Sequence, residues 1–128
     1  MSLKYALIHW LFHFLPVILF YSLLKFSSSQ LFVMLLSVVI IDVDHLPRIR
    51  KLSWKKWLKE STNFHIPRKY CFHNFFSLFL FSILSLLILD QKYFLLGICS
   101  LLIGLHLLWD LLEDVFIFKM GYKHWKLI

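Results

Sequence analysis

Apolar residues run through this chain in four long stretches, which short polar or basic segments separate. The stretches cover about residues 5–24, 31–46, 71–89 and 93–113. A helix needs about 20 apolar residues to cross the roughly 30 Å hydrocarbon core of a bilayer, and the stretches approach that length. The pattern predicts an all-α, polytopic membrane protein with four transmembrane helices, which form a single membrane-embedded domain over residues 1–128.

The first stretch has a second interpretation, a cleaved signal peptide, because Lys4 precedes the apolar run and small serines follow it. Its two histidines and its aromatic residues are unusual in the apolar region of a signal peptide. We therefore favour a membrane helix that stays in the protein.

The composition agrees with a membrane protein. Hydrophobic residues make up 60% of the chain and charged residues 16%, whereas a soluble domain is about half apolar and about a quarter charged. The two cysteines, Cys71 and Cys99, form no CxxC motif and give no sign of a disulfide framework. We expect Cys99 to be a small buried hydrophobic residue.

Basic residues are distributed unevenly along the chain. Of the 14 Lys and Arg, eight lie between residues 48 and 69, and 12 fall on one side of a four-span topology. The other side has only Lys25 and Lys92. Because cytoplasmic loops carry the excess of Lys and Arg, this asymmetry predicts a multi-pass protein of the cell (inner) membrane with both termini in the cytoplasm.

Within the basic loop, Trp54, Trp57 and Leu58 fall on one face at helical spacing. This spacing predicts a short amphipathic helix between the second and third transmembrane helices, lying in the membrane interface. A solvated basic loop is the alternative. The basic residues are expected to contact anionic lipid headgroups, and no nucleic-acid partner is expected.

Seven ionisable residues lie inside the apolar stretches or at their edges: His9, Asp42, Asp44, His45, His73, His106 and Asp110. A charge at the bilayer centre costs about 2.5–3.5 kcal/mol, so such residues are functional candidates. In the four-span topology all seven lie near the cytoplasmic ends of their helices, and we expect them to meet in one pocket. Histidine and carboxylate are ligands of zinc, our first choice, and also of manganese and iron.

We expect the other polar residues of interest to have structural rather than functional roles. We expect His13 to be a packed or backbone-bonded histidine rather than a ligand. Glu113 and Asp114 are expected to solvate the end of the fourth helix, and His65 and His124 to lie on wet, basic segments.

The order of the ionisable residues resembles that of a family of membrane-bound metal-dependent hydrolases, typified by the LexA-regulated inner-membrane protein YdjM. The shared elements fall here on His9, on Asp42-Val43-Asp44-His45, on His73-Asn74, and on the HxxxD formed by His106 and Asp110. The chain departs from the family at two positions of its HRxxxHS-like stretch. Arg68 stands where the family has the first histidine, and Asn74 stands where the family has serine. More remotely, the order is similar to that of zinc-dependent phospholipase C.

The resemblance implies a metal-dependent hydrolase that acts on a phosphoester or a lipid-linked substrate at the cytoplasmic membrane interface. The histidines and aspartates would hold one or two divalent ions, with Asp44 as a bridging ligand or general base. Arg68 lies beside this site in the sequence and would neutralise a phosphate.

Two other functions stay open from the sequence. A non-enzymatic metal-binding scaffold or regulatory subunit would use the same ligands in a closed structural site. Transport of protons or metal ions is less favoured, because residues 78–89 and 93–103 contain no charged group. The sequence also leaves open the substrate and whether the chain forms a homo-oligomer.

Overall fold

The computed structural model describes residues 3–45 and 72–117, and of residues 3–6, Asp44 and His45 it describes the backbone alone. Four α-helices form most of this part: α1 (Leu3–Leu24), α2 (Ser28–Ile40), α3 (Phe75–Leu84) and α4 (Phe94–Leu112). Short turns of other helix types adjoin them: 3-10 turns at Ile41–His45, Ser85–Leu89 and Gln91–Tyr93, and a π turn at Glu113–Ile117. The predicted all-α class is confirmed for these residues, which contain no strand.

Two helical segments are long and apolar enough to cross a membrane, Leu7–Leu24 and Gln91–Ile117. The apolar segments Ser28–Val43 and Phe75–Leu89 are shorter. The four predicted helices are therefore present, whereas length and composition identify two of them as candidate spans. The predicted interfacial helix, in the basic loop at 48–69, lies outside the described residues.

The turn between α1 and α2 is built from local polar contacts. Lys25 has a positive φ of 52°, and Ser27 caps the next helix. The Ser27 hydroxyl accepts from the Gln30 backbone N–H at 3.3 Å, and the Gln30 side chain accepts from the Ser27 N–H at 2.8 Å. This reciprocal capping satisfies two backbone donors and explains why α2 starts at Ser28, before the apolar run.

Helix α4 is the centre of the fold and packs against α1, α2 and α3. One buried cluster joins its first half to α1 and α2: Val17, Met34, Val38, Ile98, Cys99 and Leu102. A second cluster joins its later part to the end of α2 and to α3, through Ile41, Ile103 and Leu107. Cys99 is a buried free thiol, as expected from the sequence.

Candidate metal centre

Three elements bring four ionisable side chains together at one end of the helical core. Asp42 lies in the 3-10 turn after α2, and His73 lies two residues before α3 begins. His106 and Asp110 lie one turn apart on one face of α4. The ligand atoms of Asp42, His73, His106 and Asp110 all lie within 4.8 Å of one another, and we call these residues the four-ligand group.

A polar cap fixes the position of His73. The next residue, Asn74, is the N-cap of α3, and its side-chain oxygen accepts from the Ser77 backbone N–H at 2.8 Å. Asn74 has extended backbone, so the chain changes direction there and α3 begins at Phe75. His73 therefore lies just before the first turn of α3 and not within the helix.

Within the four-ligand group, each histidine nitrogen faces the same two carboxylate oxygens. His73 Nε2 is 3.0 Å from Asp110 Oδ2 and 3.6 Å from Asp42 Oδ1. His106 Nε2 is 3.2 Å from the same Asp110 oxygen and 3.4 Å from the same Asp42 oxygen. Two nitrogens and two oxygens thus surround a common centre.

The four-ligand group lies mostly away from solvent. His73, His106 and Asp110 are buried, whereas the Asp42 side chain is 25% exposed and is the most open of the four. Burying a carboxylate is costly unless a neighbouring group compensates its charge. The ion pairs that the structure gives for Asp110 are all with histidines: His13, His73 and His106.

Two atoms of this site have close neighbours but no hydrogen bond. His106 Nε2 forms none, although carboxylate oxygens lie 3.2 and 3.4 Å away. Asp110 Oδ1 forms none, although His13 Nε2 lies 3.3 Å away. Buried polar atoms usually have a hydrogen-bond partner, and a metal ion bound in the four-ligand group would supply a partner for His106 Nε2. The donor set therefore fits a divalent metal.

A second group of ligand atoms adjoins the first. His9, His13 and Asp110 also have ligand atoms within 4.8 Å of one another, and we call them the three-ligand group. His13 Nε2 is 3.1 Å from His9 Nε2. The rings of His13 and His106 lie against each other with centroids 3.8 Å apart, so the two groups are in direct contact.

Glu113 holds one member of the three-ligand group in place. Its side chain is 1% exposed and accepts two hydrogen bonds, from His9 Nδ1 at 2.8 Å and from Trp109 Nε1 at 2.5 Å. Trp109 in turn stacks on Phe12 of α1, with ring centroids 4.0 Å apart. Glu113 therefore links α1 to α4 at the site.

Five of the seven predicted ligands are brought together in these two groups: His9, Asp42, His73, His106 and Asp110. Asp44 and His45 contribute backbone to the 3-10 turn Ile41–His45, but their side chains lie outside the described part of the chain. Arg68 lies in a segment that is likewise outside it. Their predicted roles stay predictions.

One expectation from the sequence needs correction, and another gains a detail. Glu113 and Asp114 do not solvate the end of α4, because both are buried. His13 is buried, as a packed histidine would be, but its Nε2 faces His9 and Asp110. The spacing of His106, Asp110 and Glu113 at i, i+4 and i+7 indicates a shared helix face and is the sequence feature that points to the burial of Glu113.

Comparison of the chain with protein-family models, with curated proteins and with solved structures gives no match. The resemblance to the YdjM-like hydrolases therefore stays a prediction from the motif order.

Proposed function

We propose that this protein is a helical membrane protein whose four-ligand group binds a divalent metal ion, with zinc as the first choice, and that the metal centre acts as a hydrolase. The observation that carries the proposal is the convergence of two histidine nitrogens and two carboxylate oxygens from three separate elements. Histidine and aspartate are ordinary ligands of zinc, so the chemistry of the group supports a metal site.

The spacing of the ligand atoms supports a bound ion. Ligand atoms that each lie about 2.0–2.2 Å from a tetrahedral zinc ion are separated from one another by roughly 3.4 Å. The four nitrogen-to-oxygen distances in the group run from 3.0 to 3.6 Å. The atoms therefore need only small shifts to bind one ion.

The charge of the group supports the same conclusion. Two neutral imidazoles and two ionised carboxylates carry a net charge of −2 by simple counting, which a divalent cation neutralises. Burying the Asp110 carboxylate without a compensating positive charge is costly. A bound ion would also connect the end of α2, the start of α3 and α4.

A lipid environment is supported by the surface of α1. Only 11% of residues 7–24 are buried, and the exposed ones include Leu7, Leu11, Ile18, Leu19 and Leu23. An apolar helix that packs in a soluble core would be mostly buried, whereas a lipid-facing helix exposes such side chains. Because α1 also supplies His9 and His13, removal of this segment as a signal peptide would dismantle the three-ligand group.

Hydrolysis is the reaction that such a centre suits. When bound, a divalent ion lowers the pKa of coordinated water to about 7 and polarises a substrate oxygen. The partial exposure of Asp42 gives substrate an approach to the group. With the positive-inside topology, this approach lies at the cytoplasmic interface, where a phosphoester or a lipid-linked phosphate is the substrate class we propose. Arg68 would neutralise the phosphate, and Asp44 would serve as bridging ligand or general base.

A structural metal centre is the second candidate function. Four protein ligands are typical of structural zinc sites, and three protein ligands of catalytic ones. The four-ligand group also joins three elements at one end of the fold. In a scaffold or regulatory subunit, the ion would stabilise the fold, and no substrate would react.

The test is elemental analysis of protein purified gently in detergent, followed by assays with p-nitrophenyl phosphate and with phosphatidic acid in vesicles. We expect at least one equivalent of zinc, manganese or iron per chain, and a lower content in His73→Gln. His124→Gln, on the basic tail, is the matched control and should keep the wild-type content. No metal in the wild type would overturn the proposal.

The assays separate the two candidate functions. Hydrolysis that falls with the metal content of His73→Gln supports the enzyme. A full metal content with no hydrolysis of either substrate, together with melting on chelation, overturns the hydrolase and supports the structural centre.

A further inference from the structure

The two ligand groups share one residue, and its two oxygens face different groups. Asp110 Oδ2 lies 3.0 Å from His73 Nε2 and 3.2 Å from His106 Nε2, in the four-ligand group. Asp110 Oδ1 lies 3.3 Å from His13 Nε2, in the three-ligand group, and has no hydrogen bond. A carboxylate in this position is arranged to bridge two ions.

We propose that the centre binds two divalent ions, one in each ligand group, with the Asp110 carboxylate as the bridge between them. The inference rests on the proposed function, because the first ion is the one proposed for the four-ligand group. It adds a second metal position, formed by His9, His13 and Asp110.

The separation of the groups suits a pair of ions. Ions in two-metal hydrolytic sites lie about 3.5–4 Å apart. The rings of His13 and His106, one from each group, are in contact, with centroids 3.8 Å apart. Since the two ions would share the Asp110 carboxylate and be bound by neighbouring rings, they would be close enough to act on one substrate.

Glu113 prepares His9 to bind a metal. When the Nδ1–H of a histidine donates to a carboxylate, the lone pair of its neutral ring is on Nε2, which is the arrangement of metal-binding histidines. Glu113 accepts from His9 Nδ1, and His9 Nε2 is the atom 3.1 Å from His13 Nε2. Glu113 is thus a positioning residue for the second ion and does not itself bind it.

The two positions have different chemical roles. The first has four protein ligands, the number typical of structural zinc, and the second has three, the number typical of catalytic zinc. The ion of the three-ligand group would therefore keep a position open for water or for a second substrate oxygen, beside the ion of the four-ligand group, where Asp42 gives substrate its approach.

Metal stoichiometry in full-length variants tests the pair. The wild type should bind two equivalents of added Mn²⁺, whereas His13→Gln and His73→Gln should each bind one. His124→Gln is the control for the substitution itself. If His13→Gln fails to fold, as judged by circular dichroism, His9→Gln removes the other histidine of the same group.

Electron paramagnetic resonance of the Mn²⁺-loaded protein gives an independent readout. Two bridged ions are spin-coupled, so the wild type should lack most of the signal of isolated Mn²⁺, and His13→Gln should recover it.

In Glu113→Gln, affinity for the second ion alone should fall about 10- to 100-fold, as is common when a group that orients a ligand is removed.

The results separate failure of this inference from failure of the proposed function. One equivalent in the wild type, lost in His73→Gln and kept in His13→Gln, would overturn the second ion and leave the first in place. No bound Mn²⁺ and no bound zinc in the wild type would overturn both.

Discussion

Asp110 is the residue on which the whole site depends. It is buried on α4, and the nitrogens of three histidines lie within 3.3 Å of its two oxygens. These histidines come from α1, from the segment before α3 and from α4 itself. A single carboxylate therefore connects three parts of the chain, and its charge attracts whatever cation the site binds.

We predict that Asp110→Asn lowers zinc affinity by at least about 10- to 100-fold, because it removes a ligand rather than a group that merely orients one. Asparagine has the same shape but no charge and only one oxygen. Competition with a chromophoric zinc chelator measures the affinity. Asp90→Asn makes the same change at an exposed residue outside the site and should leave affinity unchanged. Wild-type affinity in Asp110→Asn would contradict the assignment of both ligand groups.

At the scale of secondary-structure elements, the start of α3 determines the position of the proposed ligand His73. Asn74 directly follows His73 and caps the first turn of α3 through Ser77. The family that the chain resembles has serine at this position. Serine is also a good N-cap, so the departure is expected to preserve the local structure.

We predict that Asn74→Ala destabilises the protein by about 1 kcal/mol, the usual value of an N-cap, and also weakens metal binding. Asn74→Ser should restore both. Ser27→Ala removes a cap of similar value between α1 and α2, and should lower stability without changing affinity. Thermal unfolding in detergent and zinc titration measure the two effects. Equal affinity in Asn74→Ala and Ser27→Ala would show that the cap does not position His73.

The contact between α4 and the turn after α3 depends on one glycine. A Cβ at Gly97 would meet the backbone N of Ile88 and would lie 2.8 Å from both Ile88 Cγ1 and the Leu87 carbonyl carbon. At Gly104, on the same helix, the nearest atom would lie 3.9 Å away. The segments therefore approach so closely at Gly97 that a side chain does not fit.

We predict that Gly97→Ala lowers stability by about 1–3 kcal/mol, the typical cost of overpacking. Gly104→Ala should be neutral or slightly stabilising, because alanine is favoured over glycine in a helix by up to about 1 kcal/mol. Unfolding curves of the two variants in the same detergent give the comparison. Equal melting temperatures would contradict the close approach at Gly97.

For the molecule as a whole, the polar site lies at one end of the bundle, and the first buried cluster extends away from it toward the other end. The site is formed by the first half of α1, the end of α2, the segment before α3 and the later part of α4. At the opposite end, Phe26, in the turn between α1 and α2, lies near Phe94 at the start of α4, with ring centroids 6.0 Å apart. A site at one face of a membrane would require this difference between a polar end and an apolar end.

The predicted topology places Lys25 and Lys92 outside the cell and the C-terminal tail inside. In a Cys71→Ser/Cys99→Ser background, Lys92→Cys should react with a membrane-impermeant maleimide in intact cells. Lys123→Cys should react only after lysis. The reverse pattern would place the metal centre at the outer face, and reaction of both in intact cells would contradict four spans.

Much of the helical structure could be predicted from the apolar stretches. The first and last were placed at 5–24 and 93–113, and the helices run over Leu3–Leu24 and Phe94–Leu112. The interior boundaries were less accurate, since α2 starts at the capping serines and α3 starts after Asn74. A cap is a hydrogen bond between particular atoms, which an apolar run does not reveal.

The sequence by itself determined the helices and the ligand types, because helix formation and lipid partition depend on local composition, and metal preference depends on side-chain chemistry. Only the tertiary structure decided which groups meet. The burial of Glu113, the place of His13 and the division of Asp110's oxygens between two ligand groups depend on how α1 and α4 face each other. That orientation is set by the packing of the core across all helices, which no single segment encodes.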